Sequence, residues 1–454
     1  MSSKVQSLGE NNINKLIAEY SIPSIIGMLV MASYNIIDRI FVGRGVGTLA
    51  ISGIAITFPL SIIIMGFAQM VGMGAIAIIS IRLGEKKKEE AEKTLENALL
   101  MSVVLSLLLS GSIYLFMRPL LTFLGATGEV YNYAVEYSTI LIYGIPFSFI
   151  LFSLNGIMRS EGKPKMALST MLISGILNMI LNPFFIMVLH MGVRGSALAT
   201  VIAQFVGAAW VLFYYTGSRS LLKLRRMSFD RKIAFNVISI GFSPLIMQIA
   251  GSFIFFMYNR VLLQYGGDVA IAAMSICFSI MTMIMMPIFG LNQGIQPIIG
   301  YNYGAMQIGR VKETFRKGII LATAICIVGF LIILFFSVSI MHIFNTNDEK
   351  LIDLGARSLR IFLITLPISG FQIVSWAYFQ AVGKPAKSMI LTVTKQILFI
   401  IPLIIILPRY AGLNGILIAG PISDLLAAIL TGVLLLIEAK RLRNVELSPV
   451  QVES

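Results

Sequence analysis

The chain has little of what a water-soluble enzyme needs. Of its 454 residues only 12% are charged, and it holds just two cysteines and two histidines. Soluble domains carry roughly 25% charged residues, and even large ones leave about a quarter of their chain area in water. An ordinary soluble fold is therefore excluded. Cys277 and Cys326 both lie inside apolar runs, which excludes a disulfide-stapled scaffold. No G-x-x-x-x-G-K-[ST] phosphate loop, H-E-x-x-H helix, G-x-S-x-G turn or metal-spaced Cys/His set is present. The chain reads as a non-enzyme without a nucleotide-hydrolysing motif. His190 and His342 fall near span ends, where an interfacial role outweighs a catalytic one.

What the sequence does have is hydrocarbon. Hydrophobic residues make up 57%, and 39 glycines add to the apolar share. Crossing ~30 Å of hydrocarbon takes about 20 helical residues. Twelve stretches qualify, at roughly 17–43, 48–80, 94–117, 131–158, 166–189, 195–216, 237–263, 268–300, 314–340, 351–381, 388–408 and 414–437. The first sixteen residues are polar, and the first span is too long for a cleaved signal peptide. The expected fold is an all-α membrane protein of twelve transmembrane helices.

The net charge of +14 sits in the loops. With twelve spans both termini share a side, and 25 of the 35 lysines and arginines lie there against five opposite. By the positive-inside rule both termini are cytoplasmic, in a multi-pass protein of the cytoplasmic membrane. The basic balance is thus an orientation signal, and no nucleic-acid partner is expected.

An internal repeat accompanies the helix count. Gly162-Lys-Pro164 recurs as Gly383-Lys-Pro385, and Gly192-Val-Arg-Gly195 as Gly412-Leu-Asn-Gly415. Pro23 and Pro244, Arg39 and Arg260, Gly74 and Gly294, and Gly84 and Gly304 keep the same offset of about 220. The chain divides into two pseudo-symmetric six-helix lobes, 1–225 and 226–454. Parallel repeats related by an axis along the membrane normal mark transporters, with the path between the halves. Such a unit needs no partner, so a monomer is expected.

Buried ionisable groups are costly in a bilayer and usually functional. Asp38 lies about five residues before the far end of span 1. Asn178 and Asn182 share one face of span 5, and Thr200 lies about five residues into span 6. Loop arithmetic puts all four at similar depth, with Gln204 a turn further in on Thr200's face and Asn35 a turn before Asp38 on span 1. Their oxygens could hold a sodium ion, or Asp38 alone could take a proton; the bland alternative is a simple Asp38–Arg39 pairing. Pro23, fifteen residues before Asp38, frees a carbonyl and permits span 1 to bend. In the second half Asn259 stands at the position of Asp38. There Lys395 and Asp424 are buried instead, opposite Ser174 and Gln204 of the first half. They read as a structural ion pair, or as a second coupling or substrate-charge site.

Met281, Met283, Met285 and Met286 offer flexible thioethers that suit a cavity for unlike molecules, or simple packing. Gly290-Leu-Asn-Gln-Gly294 and Gln296-Pro297 suggest irregular helix, tolerated only under cover of protein or a cavity.

At Tyr34-Asn-Ile-Ile-Asp-Arg-Ile-Phe-Val-Gly43, Leu177-Asn-Met-Ile-Leu-Asn-Pro183, Gly192-Val-Arg-Gly-Ser-Ala-Leu-Ala-Thr200 and Gly294-Ile-Gln-Pro-Ile-Ile-Gly-Tyr-Asn-Tyr-Gly304, the chain resembles the multidrug and toxic compound extrusion (MATE) family, over essentially its whole length. The resemblance implies an alternating-access antiporter that exports cationic or amphipathic small molecules, driven by sodium or proton entry. It places a cation site on Asp38, Asn178, Asn182 and Thr200, although the family pattern has an aspartate where Asn182 stands. Acidic positions used by some branches in helices 7 and 10 read Ser252 and Ser369 here. A flippase for a lipid-linked saccharide shares the broad architecture. It should line its cavity with more cations than the one matched pair, Arg39 and Arg260.

Overall fold

The computed structural model describes residues 3–218, 220–225, 227–344 and 348–447, and among these no strand occurs. The first six spans are Ile13–Gly45, Thr48–Gly84, Lys88–Phe123, Gly128–Ser160, Pro164–Pro183 with a π-helical turn Phe184–Val188, and Gly192–Thr216. Arg231–Gly304 follows as a 74-residue run broken at Gly267, whose φ of +64° no helix tolerates. It yields spans 7 and 8, at 231–266 and 268–304. Span 9 is Ile308–Phe344; span 10 is Glu349–Phe362 plus Leu366–Ala381, bent by 49° between them. From Pro385 the chain runs through a second π-helical stretch, Thr394–Phe399, to Leu447, and Gly412 (φ +55°) divides spans 11 and 12.

Every span extends past its apolar window. At the starts of spans 7 and 10 a polar side chain caps the extension: Asp230 accepts from the backbone N–H groups of Lys232 and Ile233, and Asp348 from that of Leu351. The polar N-terminal stretch also contains structure. Ser3–Glu10 is a helix with Val5 and Leu8 buried. Arg310 donates to the carbonyls of Leu8 (3.1 Å) and Asn11 (2.7 Å), and Asn302 to that of Leu8 (3.0 Å). The start of the first lobe is thereby clamped to the second.

The repeat is present in the backbone itself. Positive φ recurs at Gly47 and Gly267, Lys86 and Met306, Gly162 and Gly383, and Gly192 and Gly412. Spans 3 and 9 kink at Phe116 (φ −104°, ψ 15°) and Phe336 (φ −116°, ψ 15°), again 220 residues apart. Only span 3 carries a proline near its kink, Pro119, so the bend belongs to the shared fold rather than to proline.

The lobes meet on the side of the termini, where their backbones touch. A Cβ on Gly84 would strike the Tyr301 carbonyl, and one on Gly304 the Ile81 carbonyl, a reciprocal contact between spans 2 and 8. Gly290 and Gly294 likewise lie against the backbone of span 1 at Ile25 and Ser21. The irregular helix expected at Gly290–Gly294 and Gln296-Pro297 is regular. Those glycines give close approach between helices, not flexibility. On the same side Ile13, Leu16, Ile17, Tyr20 and Ser21 of span 1 are buried, whereas Leu29, Ser33, Ile36 and Ile40 further along are exposed.

The linker between the lobes lies against the first. Buried Glu161 accepts from Tyr214 Oη (2.9 Å), Ser220 Oγ (3.0 Å) and the Leu221 N–H (3.3 Å). Glu96 accepts from the Arg225 N–H (2.9 Å), and Asn97 from that of Asp230 (2.8 Å). Burial pushes the Glu161 carboxyl up to about 7, against which those hydrogen bonds work.

Two outcomes are expected. Opening the linker returns Glu161 to water and to an ordinary carboxylate pKa. The closed form therefore binds the proton more tightly, and raising the pH from about 5 to 7 favours opening, with no further effect above. Tryptic cleavage at Lys223 or Arg225 should accelerate over that window relative to Glu161→Gln, which does not titrate there. At the lobe contact, Gly84→Val should cost about 1–3 kcal/mol by overpacking. It should lower the thermal unfolding temperature, while Gly111→Val, with open space around it, should not.

Candidate functional site

Spans 1, 5 and 6 converge in the half of the first lobe away from the termini. Asn182 Nδ2 donates to Asp38 Oδ1, and Ser196 Oγ donates to the same oxygen at 2.6 Å. One turn away along spans 5 and 6, Asn178 Nδ2 donates to Thr200 Oγ1 at 3.1 Å. Asn178 and Asn182 are four apart, as are Ser196 and Thr200, so the two groups stack at a separation of about 6 Å, one turn at 1.5 Å per residue. Asn178, Asn182 and Ser196 are buried, while Asp38 and Thr200 are half-buried. The loop arithmetic thus brought together residues from three spans, and the structure adds Ser196. A serine in an apolar helix carries no strong signal by itself. Its place one turn before Thr200 was the clue, since 196, 200 and 204 share a face.

Toward the far end of this site Val42, Ala50, Tyr137, Ile186, Val193 and Ala197 pack as an apolar cluster. Inside, the Asn182 carbonyl oxygen is buried and accepts no hydrogen bond among the described residues. A buried acceptor of this kind normally finds a donor. Here it lies on the side chain whose amide is bonded to the Asp38 carboxylate. One carboxylate, an orphan amide oxygen and two hydroxyls form a hard-oxygen set. Such a set suits a small cation or a proton and offers nothing to a soft metal.

The remaining candidates are spread more widely. Gln204 lies further in, where a Cβ on Gly144 of span 4 would meet its Oε1 at 2.7 Å. The side chains of Asn35 and Arg39 lie outside the described residues, so the Asp38–Arg39 alternative falls there too. Span 1 is an unbroken helix through Pro23, and Ser24 Oγ donates to the Tyr20 carbonyl (2.8 Å) beside it. Of the methionines in span 8, Met285 is buried and Met283 is 67% exposed, so the four line no common surface. In the second lobe Lys395 Nζ lies 2.7 Å from Asp424 Oδ1 and donates to Gln372 Oε1 at 2.8 Å. Thr365 Oγ1 donates to Asp424 Oδ2 at 2.8 Å.

Comparison with known proteins identifies the fold and the family. The chain is 27% identical over 446 residues to the multidrug export protein MepA of Staphylococcus haemolyticus (strain JCSC1435), covering 98% of each. It superposes with a TM-score of 0.91, at 26% identity, on a structure described as the outward-facing conformation of a multidrug resistance MATE family transporter of the MOP superfamily, covering 97% of this chain and 99% of that one. The score is again 0.91, at 27% identity, for a MOP superfamily transporter from Pyrococcus furiosus whose binding pocket is described as reversed in polarity, covering 98% and 99%. The family model MatE matches twice, at residues 23–184 and 244–406, which are the two copies seen in sequence and backbone. With well over half its length matched in this way, the chain is a multi-pass membrane protein that belongs to the MatE family.

Proposed function

We propose that the protein is a cation-coupled antiporter, not an enzyme, that exports cationic and amphipathic small molecules through a path between its lobes, 1–225 and 226–454. The observation that carries this reading is the Asp38 site. It is a half-buried carboxylate inside a span, joined to Asn182 and Ser196, beside an amide oxygen that still lacks a donor. A proton on Asp38, or a sodium ion on Asp38 with the Asn182 and Thr200 oxygens, would neutralise that charge. The loop charges support placing both termini in the cytoplasm, and the lobe contact is then a closed inner gate. Span 1 joins the two regions: its inner turns are buried in the gate and its outer half carries Asp38. Bending at Pro23 is the motion through which ion occupancy and the gate would be coupled. Each chain has its own pair of lobes, so a monomer suffices.

In proteoliposomes, ethidium efflux should fall when the coupling gradient, sodium or proton, is collapsed and persist when the other is collapsed. Equal efflux after both collapses would overturn ion coupling. Asp38→Asn should abolish gradient-driven efflux while leaving the protein folded. Ser196→Ala, which removes one hydrogen bond to a charged group worth about 1.5–3 kcal/mol, should reduce transport by roughly tenfold or more, and Ser196→Thr should restore much of it.

A further inference from the structure

The second lobe holds a charged pair that the coupling site does not use, and three observations show what it is built for. The first is depth. Lys395 is ten residues past Pro385, about 15 Å at 1.5 Å per residue, hence near the middle of a ~30 Å hydrocarbon layer. Yet its side chain is 30% exposed and that of Asp424 18%. Charge facing lipid tails at that depth is costly, which argues that the exposed part of the pair faces the interior of the protein.

The second observation is backbone irregularity. Span 10 breaks by 49° just where Thr365 reaches Asp424, and Lys395 sits in the π-helical stretch Thr394–Phe399 of span 11. Broken and π-helical segments near the bilayer midplane are features of binding sites.

Third, the pair is not part of the duplicated packing. Its counterparts in the first lobe are neutral Ser174 and Gln204. There, spans 5 and 6 are tied by Ser174 Oγ donating to the Ala203 carbonyl (3.0 Å). In the second lobe, spans 11 and 12 are tied by Ser423 Oγ donating to the Lys395 carbonyl (3.3 Å). A serine-to-carbonyl bond holds each helix pair, and the ion pair is an addition.

Aromatic rings stand beside it. Gly420, one turn before Asp424, leaves room for the Phe362 ring and the Tyr258 hydroxyl, which a Cβ there would meet at 2.9 and 3.4 Å. Tyr258, Phe362 and Phe255 surround Phe278, with ring centroids 5.3–5.6 Å from it, and Phe255 is 42% exposed. A carboxylate near aromatic rings is the chemistry that holds a lipophilic organic cation.

We propose that Asp424 binds the charged head of a singly charged, aryl-bearing cation, and that Lys395 is its resident counter-charge, displaced when such a cation arrives. The inference rests on the export reading and assigns a substrate class to it. Between substrates the lysine keeps the carboxylate from standing alone within the bilayer, where an unpaired charge is costly. On displacement each partner keeps a hydrogen bond. Lys395 keeps its bond to Gln372, itself anchored by Nε2 to the Asp424 carbonyl (2.5 Å), and Asp424 keeps the Thr365 hydroxyl. The long lysine stem supplies the reach.

Equilibrium binding of tetraphenylphosphonium to the purified full chain tests this, with neutral triphenylphosphine oxide as control. Lys395→Met removes the competing cation and should tighten tetraphenylphosphonium at least tenfold without changing triphenylphosphine oxide. Asp424→Asn should weaken the cation at least tenfold. The double variant, which leaves no unpaired charge and guards against misfolding of either single one, should bind as weakly as Asp424→Asn. Unchanged cation affinity in Lys395→Met, or in the double variant, would overturn the proposal. Failure of gradient-driven efflux with these binding changes intact would instead overturn the export reading and leave the site standing.

Discussion

Hydrocarbon cannot donate or accept a hydrogen bond, and the rest of the structure follows from that. Backbone groups must be satisfied within each span, which leaves helix as the only element that crosses. Sharp reversals are therefore pushed to the ends of spans, at Gly47, Gly192, Gly267 and Gly412. At the bend between Phe362 and Leu366 the irregular backbone lies among buried side chains, Phe362, Leu363 and Leu366. Side chains obey the same rule. Asp38 is held by Asn182 and Ser196, Asp424 by Lys395 and Thr365, and buried Glu438 by Lys384 and Lys387.

This constraint explains which parts of the fold were legible in the sequence. A span must be about 20 apolar residues long, so all twelve could be counted. Their ends could not be fixed, because the helix continues once Asp230 or Asp348 caps it, and polarity no longer reports where it stops. Ser3–Glu10 escaped notice for a related reason. Its buried contacts are Val5 and Leu8, too few for a periodic pattern, and its anchor is Arg310, some 300 residues away. The repeat was readable where residue identity is forced, as in the two Gly-Lys-Pro turns. It was unreadable at Lys86 and Met306, or Phe116 and Phe336, where the same backbone is built from residues that say nothing about it.

The candidate site was legible to the extent that depth and helical face are arithmetic. Asp38, Asn178, Asn182 and Thr200 came from counting residues between loops, and the structure brings them into two adjacent hydrogen-bonded groups. Ser196 did not stand out because serine is cheap in a membrane helix, where its hydroxyl usually returns to the backbone as Ser24 and Ser33 do. Gly290 and Gly294 were misread because a missing Cβ serves two ends, bending and close approach. Only the neighbouring helix distinguishes them, and here the neighbour is span 1.

The duplicated scaffold carries unduplicated chemistry, and the asymmetry has a physical consequence. In the first lobe the Asp38 carboxylate accepts hydrogen bonds from the Asn182 amide and the Ser196 hydroxyl. In the second the carboxylate already has a cation on a tether, so an arriving cation must compete for it. On the proposed reading the first lobe takes a small cation that fits its oxygens, and the second takes only a cation whose aryl surface compensates for displacing Lys395. Within the export reading, this separates the ion that drives transport from the compound transported. They need not exclude each other from a single carboxylate, and coupling between them falls to the contact the lobes share, where spans 1, 2 and 8 meet through Gly84, Gly290, Gly294 and Gly304. Side chains between backbones could yield by changing rotamer. With none there, a shift of span 1 must be passed directly to the opposite lobe.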